Sequence, residues 1–100
     1  MLIVTGHISV APSALATFSR DLRALAAAAR RRDGNLAYDA AVADPSTGRL
    51  LIAERWRDQA ALTAHLQAAD TARFLHRWRD RISGDIRKYD VTRERALMDD

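Results

Sequence analysis

The chain predicts an α+β fold of the ferredoxin-like kind, with elements in the order β-α-β-β-α-β. Three observations carry this expectation. Short runs with apolar residues at every second position occur at Leu2–Val10, Asn35–Ala43, Leu50–Arg57 and Ile86–Arg93. Two longer segments repeat apolar residues at spacings of three and four, the period of a helix face. The two middle runs are joined only by Asp44-Pro45-Ser46-Thr47-Gly48, a turn by composition, so they form a hairpin. Helical segments flank that hairpin, which is the split βαβ order.

The elements follow in sequence. In the first strand Leu2, Val4, Ile8 and Val10 alternate with Ile3, Thr5, His7 and Ser9, and Gly6 interrupts the first set. Pro12-Ser13 opens a helix whose Leu15, Phe18, Leu22, Leu25 and Ala29 make one apolar stripe. Asp33-Gly34 stops it, because glycine accepts the left-handed conformation that ends many helices. The second strand carries Leu36, Tyr38, Ala40 and Val42 on one face. After the third strand Asp58 is placed to cap a helix with a stripe of Leu62, Leu66 and Ala69. A kink at Asp70-Thr71 leads into Ala72–Ile82, where Leu75, Trp78 and Ile82 again repeat at helical spacing. Ser83-Gly84 ends that segment before the last strand. One domain over residues 1–93 and a polar tail over 94–100 are therefore expected.

Composition excludes several classes of function. Hydrophobic content of 48% with 29% charged residues is that of a folded globular chain. With no cysteine there is no disulfide, zinc–thiolate site, iron–sulfur cluster or cysteine nucleophile, and a reducing cytoplasm is the expected compartment. No apolar run reaches the roughly 20 residues of a membrane span, and MLIVTGHISV lacks the basic start of a signal peptide. Sixteen basic residues, fifteen of them Arg, are interleaved with thirteen acids and leave a net charge of +3. The one run, Arg30-Arg31-Arg32, falls at a helix end, where cations complement the macrodipole. RNA-recognition domains share this element order, but their third strand carries aromatics and glycines, whereas LLIAERWR holds one aromatic and no glycine. Neither nucleic acid nor membrane is an expected partner.

The strands also speak to assembly. Helices cover one sheet face, and a water-exposed second face would read as cleanly polar. Here both alternating sets of the first strand are substantially apolar, and Leu50 and Ile52 oppose Leu51 and Ala53 in the third. A chain of 100 residues has one small core. The same sheet face of a second copy is the natural cover, so a two-fold homodimer is expected.

Glu54-x-Trp56-x-Asp58, followed by Ala61-Leu62-x-x-His65-Leu66 and later Phe74, resembles the antibiotic biosynthesis monooxygenase family, and the likeness runs from about Leu2 to Val91. The resemblance implies a dimeric α+β barrel. It also implies, as in the cofactor-free members, oxidation of an electron-rich phenol, quinol or anthrone by O₂. In such members the protein holds a small aromatic substrate between helices and sheet and helps a proton leave, and the deprotonated substrate passes an electron to O₂. No cofactor or metal is then needed. Two alternatives stay open: a non-catalytic, small-ligand-binding dimeric barrel, and a haem-degrading oxygenase. Haem-degrading relatives place an iron-ligating His near His76, an Asn on the first strand and a Trp on the preceding helix. Here the last two positions carry His7 and His65.

His65 is the candidate catalytic residue. At a helical step of about 100° it falls roughly 60° from Leu62, on the flank of the core-facing stripe. An imidazole at the edge of an apolar wall suits a general base near neutral pH, and equally a core histidine satisfied by one carbonyl. Tyr38, Trp56 and Trp78 are candidate substrate-binding walls, since a planar ligand needs flat apolar surfaces with few polar anchors. His7 is a possible second polar contact, on a strand face that could be pocket or dimer interface. No metal site is expected, because no two histidines sit three or four apart on one helix. Glu54 is expected to pair with Arg55 or Arg57.

Overall fold

The computed structural model describes residues 1–100. Strand β1 (Leu2–Val10) leads through a 3₁₀ turn at Pro12–Ala14 into helix α1 (Leu15–Ala29). The hairpin β2 (Asn35–Asp44) and β3 (Arg49–Trp56) follows, then helices α2 (Gln59–Gln67) and α3 (Ala69–Trp78), and strand β4 (Ile82–Asp90). The four strands form one antiparallel sheet in the order β2-β3-β1-β4, with β2 and β4 as open edges. This is the expected ferredoxin-like α+β architecture.

Register decides the two faces. Leu2, Val4, Ile8 and Val10 pair with Trp56, Glu54, Leu50 and, across the other edge, Asp90, Lys88, Gly84 and Ile82. That set turns toward the helices, and its apolar members on β1 and β3 are buried. α1 lays Phe18, Leu22, Leu25, Ala26 and Ala29 onto it. Ile3, Thr5, His7 and Ser9 share the opposite face with Leu51, Ala53 and Tyr89. No helix covers that face, and Leu51 and Tyr89 are each 50% exposed there.

The core gathers in two groups. One holds Leu2, Val4, Ala29, Tyr38, Trp56 and Leu62. The other holds Ile8, Val10, Phe18, Leu22, Ile52 and Trp78. Trp78 lies edge-on to Phe18 with ring centroids 5.0 Å apart, and its Nε1–H donates to Asp21 Oδ2 at 2.9 Å.

Gly34 ends the α1 connection at φ +83°, where a side chain would strike Ala61, as its sequence context predicts. Asp58 caps α2, its Oδ1 accepting the Ala61 N–H at 2.9 Å. Four expectations are corrected. The helix break falls at Ala68, which is extended, two residues before the expected kink, so α2 and α3 are separate helices. α3 stops at Trp78, and Ile82 pairs with Val10 as the start of β4 instead of closing a helical stripe. Gly84 read as a terminator. It is mid-strand, where the backbone passes so close to His7 that no side chain fits. On β2 a bulge between Asn35 and Ala37 turns Leu36 out of the expected face, leaving it 52% exposed. No helix is long and apolar enough to cross a membrane.

Candidate functional site

α2 is short, and its cap at Asp58 sets its rotation, which turns Ala61, Leu62 and His65 inward. His65 is 3% exposed. Its ring stacks at 4.8 Å and 31° on Trp56 and meets the edge of Tyr38 at 5.6 Å. The break at Ala68 swings α3 so that its first turn presents Asp70 and buried Thr71 beside that ring. Arg32, just beyond α1, reaches into this corner. Its Nη1 meets His65 Nδ1 and donates to Thr71 Oγ1 at 3.1 Å, while Nη2 pairs with Asp70 Oδ1. Asp70 Oδ1 also accepts the Thr71 N–H at 3.0 Å.

The clamp assigns the tautomer. A guanidinium only donates, so His65 Nδ1 accepts and the neutral ring carries its proton on Nε2. Burial, then the Arg32 charge, push the imidazole down to about 4, against a smaller opposite pull from Asp70. Burial tends to raise the Asp70 carboxyl, but Arg32 and the Thr71 N–H more than offset it, so Asp70 stays below its ordinary range.

Glu54 lies on the same buried face, 7% exposed. Its Oε1 accepts Trp56 Nε1–H at 2.9 Å. Burial raises its carboxyl above the ordinary range, and the Trp56 hydrogen bond opposes only part of that. Tyr38 stands opposite Glu54 on β2. Its phenol is raised by burial and by the Glu54 charge, against Arg32.

These groups border a cavity of about 620 Å³ between helices and sheet. Val4, Ile8, Ile52, Leu62, Phe74 and Ile86 form much of its apolar wall, and Tyr38, Glu54, His65 and Thr71 supply a buried polar side. The arrangement suits a flat, apolar ligand that presents oxygen at one edge. A second depression of about 540 Å³ lies between α1 and the hairpin. Arg23 is its one titratable side chain, so the buried titratable groups do not gather there.

Of the residues singled out from sequence, His65 and Tyr38 border the cavity, and Trp56 supports them from behind. Trp78 does not line it: the indole is fully enclosed against Phe18 and held by Asp21. His7 lies on the uncovered sheet face, opposite Leu51 and Asp85. His76 is exposed on α3. No three His, Asp or Glu side chains come together as a metal-holding group.

Glu54 does not make the ion pair expected for it. Successive strand residues point to opposite faces, so Arg55 reaches instead to Glu94 at 3.7 Å, and Arg57 takes Asp33 and Asp58, each at 3.1 Å. A signal for its burial was present: its neighbours two positions away are Ile52 and Trp56. Arg32, Asp70 and Thr71 carried none, since their meeting depends on the break at Ala68.

A family model described as antibiotic biosynthesis monooxygenase matches residues 1–77. A candidate antibiotic biosynthesis monooxygenase from Deinococcus radiodurans superposes with a TM-score of 0.87 at 24% identity, over 99% of this chain and 100% of that one. A Pseudomonas aeruginosa protein is 30% identical, with a TM-score of 0.77 over 88% of this chain and 90% of its own. A Mycobacterium tuberculosis protein gives 0.83 at 20% identity, over 95% and 98%. No curated protein sequence matches.

Proposed function

The chain belongs to the antibiotic biosynthesis monooxygenase family, and from that premise we propose that it oxidises an electron-rich phenol, quinol or anthrone with O₂, without a cofactor, in the helix–sheet cavity. The observation that supports this most is the pairing of an apolar wall with a buried polar side made by His65, Tyr38 and Glu54. The electrons balance without an external reductant. One oxygen atom enters the substrate, the other leaves as water with two substrate hydrogens, and the substrate supplies all four electrons. The protein's part is positioning and proton transfer.

In this reading His65 is the catalytic residue that meets the reacting oxygen. With Nδ1 taken by Arg32 and the ring neutral, it acts as an Nε2–H donor that steadies negative charge on the substrate oxygen, and not as the base. Tyr38 is the second polar contact, and Trp56 fixes the plane of the His65 ring. Two copies pack through the face that carries Ile3, Leu51 and Tyr89, closing two sheets into an α+β barrel, with His7 in that interface.

The test is O₂ uptake by metal-free, haem-free protein with hydroquinones, naphthalenediols and anthrones, with His65→Phe alongside. Phenylalanine keeps a ring on Trp56 and removes both nitrogens. Protein-dependent uptake that falls about 100-fold in the variant is expected, the scale of losing one oxyanion donor. Uptake no faster than buffer across the panel refutes the oxygenase and leaves a small-ligand-binding dimer.

A further inference from the structure

Three polar atoms on the cavity have no partner in the protein. Glu54 uses Oε1 for Trp56 and leaves Oε2 free. His65 uses Nδ1 for Arg32 and leaves Nε2–H free. The Tyr38 hydroxyl makes no hydrogen bond, and only its backbone carbonyl is used, by Arg30. The one side-chain oxygen or nitrogen both sealed from solvent and unpartnered is Ser19 Oγ. The free atoms of Glu54, His65 and Tyr38 are therefore open to the cavity they line. They make one acceptor and two donors.

Glu54 is also buried without a cation of its own. Arg32, entering from the α1 side, is held by Asp70, Thr71 and His65. Lys88, on β4 across Val4 from Glu54, gives its ammonium to Gln59 Oε1 at 2.8 Å. The other titratable groups facing this corner are Tyr38 from β2, His65 from α2 and Asp70 from α3. Arg87 of β4 also borders the cavity and is held by Asp85 Oδ1 at 3.1 Å. A carboxylate so placed gains most by taking up a proton, and its proton affinity is raised accordingly.

We propose that Glu54 is the proton acceptor of the reaction, taking the hydroxyl proton of an aromatic substrate onto Oε2. This rests on the oxygenase reading above. The substrate O–H bond breaks, the proton goes to Oε2, and the electron pair stays on the substrate oxygen. That oxyanion is the species the Nε2–H of His65 and the Tyr38 hydroxyl are placed to hold. The substrate is therefore an aromatic hydroxyl compound that must be ionised before it reacts with O₂. The Trp56 hydrogen bond is a positioning contact that leaves one carboxyl oxygen free for the transfer.

Glu54→Gln tests this, because the amide oxygen still accepts the Trp56 N–H while the base is gone. The first readout is 4-nitrocatechol, whose absorbance reports ionisation, bound at a pH one unit below its own pKa. Wild type should bind it as the anion and Glu54→Gln as the neutral phenol. The second readout is O₂ uptake against pH. The variant should lose about 100-fold or more in kcat on hydroquinones with little change in KM, the scale of losing a general base. The loss should shrink toward tenfold with substrates already ionised in solution, and Glu54→Asp should recover part of it. A probe that stays neutral or unbound in wild type, or ionises equally in the variant, overturns the proposal. Wild-type turnover with an unchanged variant also overturns it and leaves the oxygenase standing. Glu54-dependent ionisation without any turnover refutes the oxygenase, overturns Glu54 as the base of that reaction and leaves it as the proton acceptor for a bound phenol only.

Discussion

Replacing Arg32 with methionine keeps an unbranched stem and removes the guanidinium that holds the site corner together. Three contacts go: those to His65 Nδ1, Thr71 Oγ1 and Asp70 Oδ1. Hydrogen bonds to charged groups contribute about 1.5–3 kcal/mol each. The Asp70 pair is discounted because its carboxylate is 33% exposed and screened. The contacts to His65 and Thr71 then set a loss of about 3–6 kcal/mol, and at 4–8 °C per kcal/mol in a domain this small Tm should fall by about 10 °C or more. Urea unfolding at pH 7.5 and fixed protein concentration reads the loss. An NMR titration of the His65 ring reads the cause.

In wild type that ring should titrate at about 4, depressed by burial first and Arg32 second. In Arg32→Met it should rise but stay below 6.5, because burial remains. The sign for stability follows. The unfolded chain takes up a proton near pH 6.5 and the folded chain only near 4, so acid between those values favours unfolding. Full expression of the shift costs about 3 kcal/mol. Glu54 opposes it in part, because its raised carboxyl gains a proton in the folded state first, so stability from that group grows as pH falls. The difference between wild type and His65→Phe isolates the histidine. An unchanged urea midpoint in Arg32→Met together with a His65 ring still at about 4 would refute the clamp.

Trp56→Phe should remove the donor to Glu54 Oε1, raise the Glu54 carboxyl further and cost about 1–3 kcal/mol, read by infrared titration of the carboxyl band and by denaturation. Asp58→Ala should lose the α2 cap for about 1 kcal/mol, and a loss below about 0.3 kcal/mol would show that packing alone sets the helix start. Leu51→Arg, on the uncovered sheet face, should shift sedimentation from dimer to monomer with helix content unchanged. A variant that sediments like wild type would move the interface elsewhere.

The element order, the hairpin, the Asp58 cap and the Gly34 stop were legible because each rests on local rules: alternation, helical spacing, and turn or cap chemistry. The likeness carried by Glu54, Trp56, Asp58 and His65 was legible for the same reason, being a spacing along one strand and the next helix. The end of α3 was not, since Ile82 fits a helical stripe as well as it fits the position opposite Val10. Only the sheet, by pairing that residue, decides. The clamp is the same case at longer range. Arg32 is 33 residues from His65 and 38 from Asp70, and it satisfies a helix-end rule wherever it points. Sequence alone determined which strand or helix bears His65, Tyr38 and Trp56, but it assigned Glu54 to an ion pair and gave no sign of the Arg32 clamp. Tertiary packing decided that the His65 ring is neutral and accepts at Nδ1, because its protonation depends on burial and on one cation brought in from a distant turn.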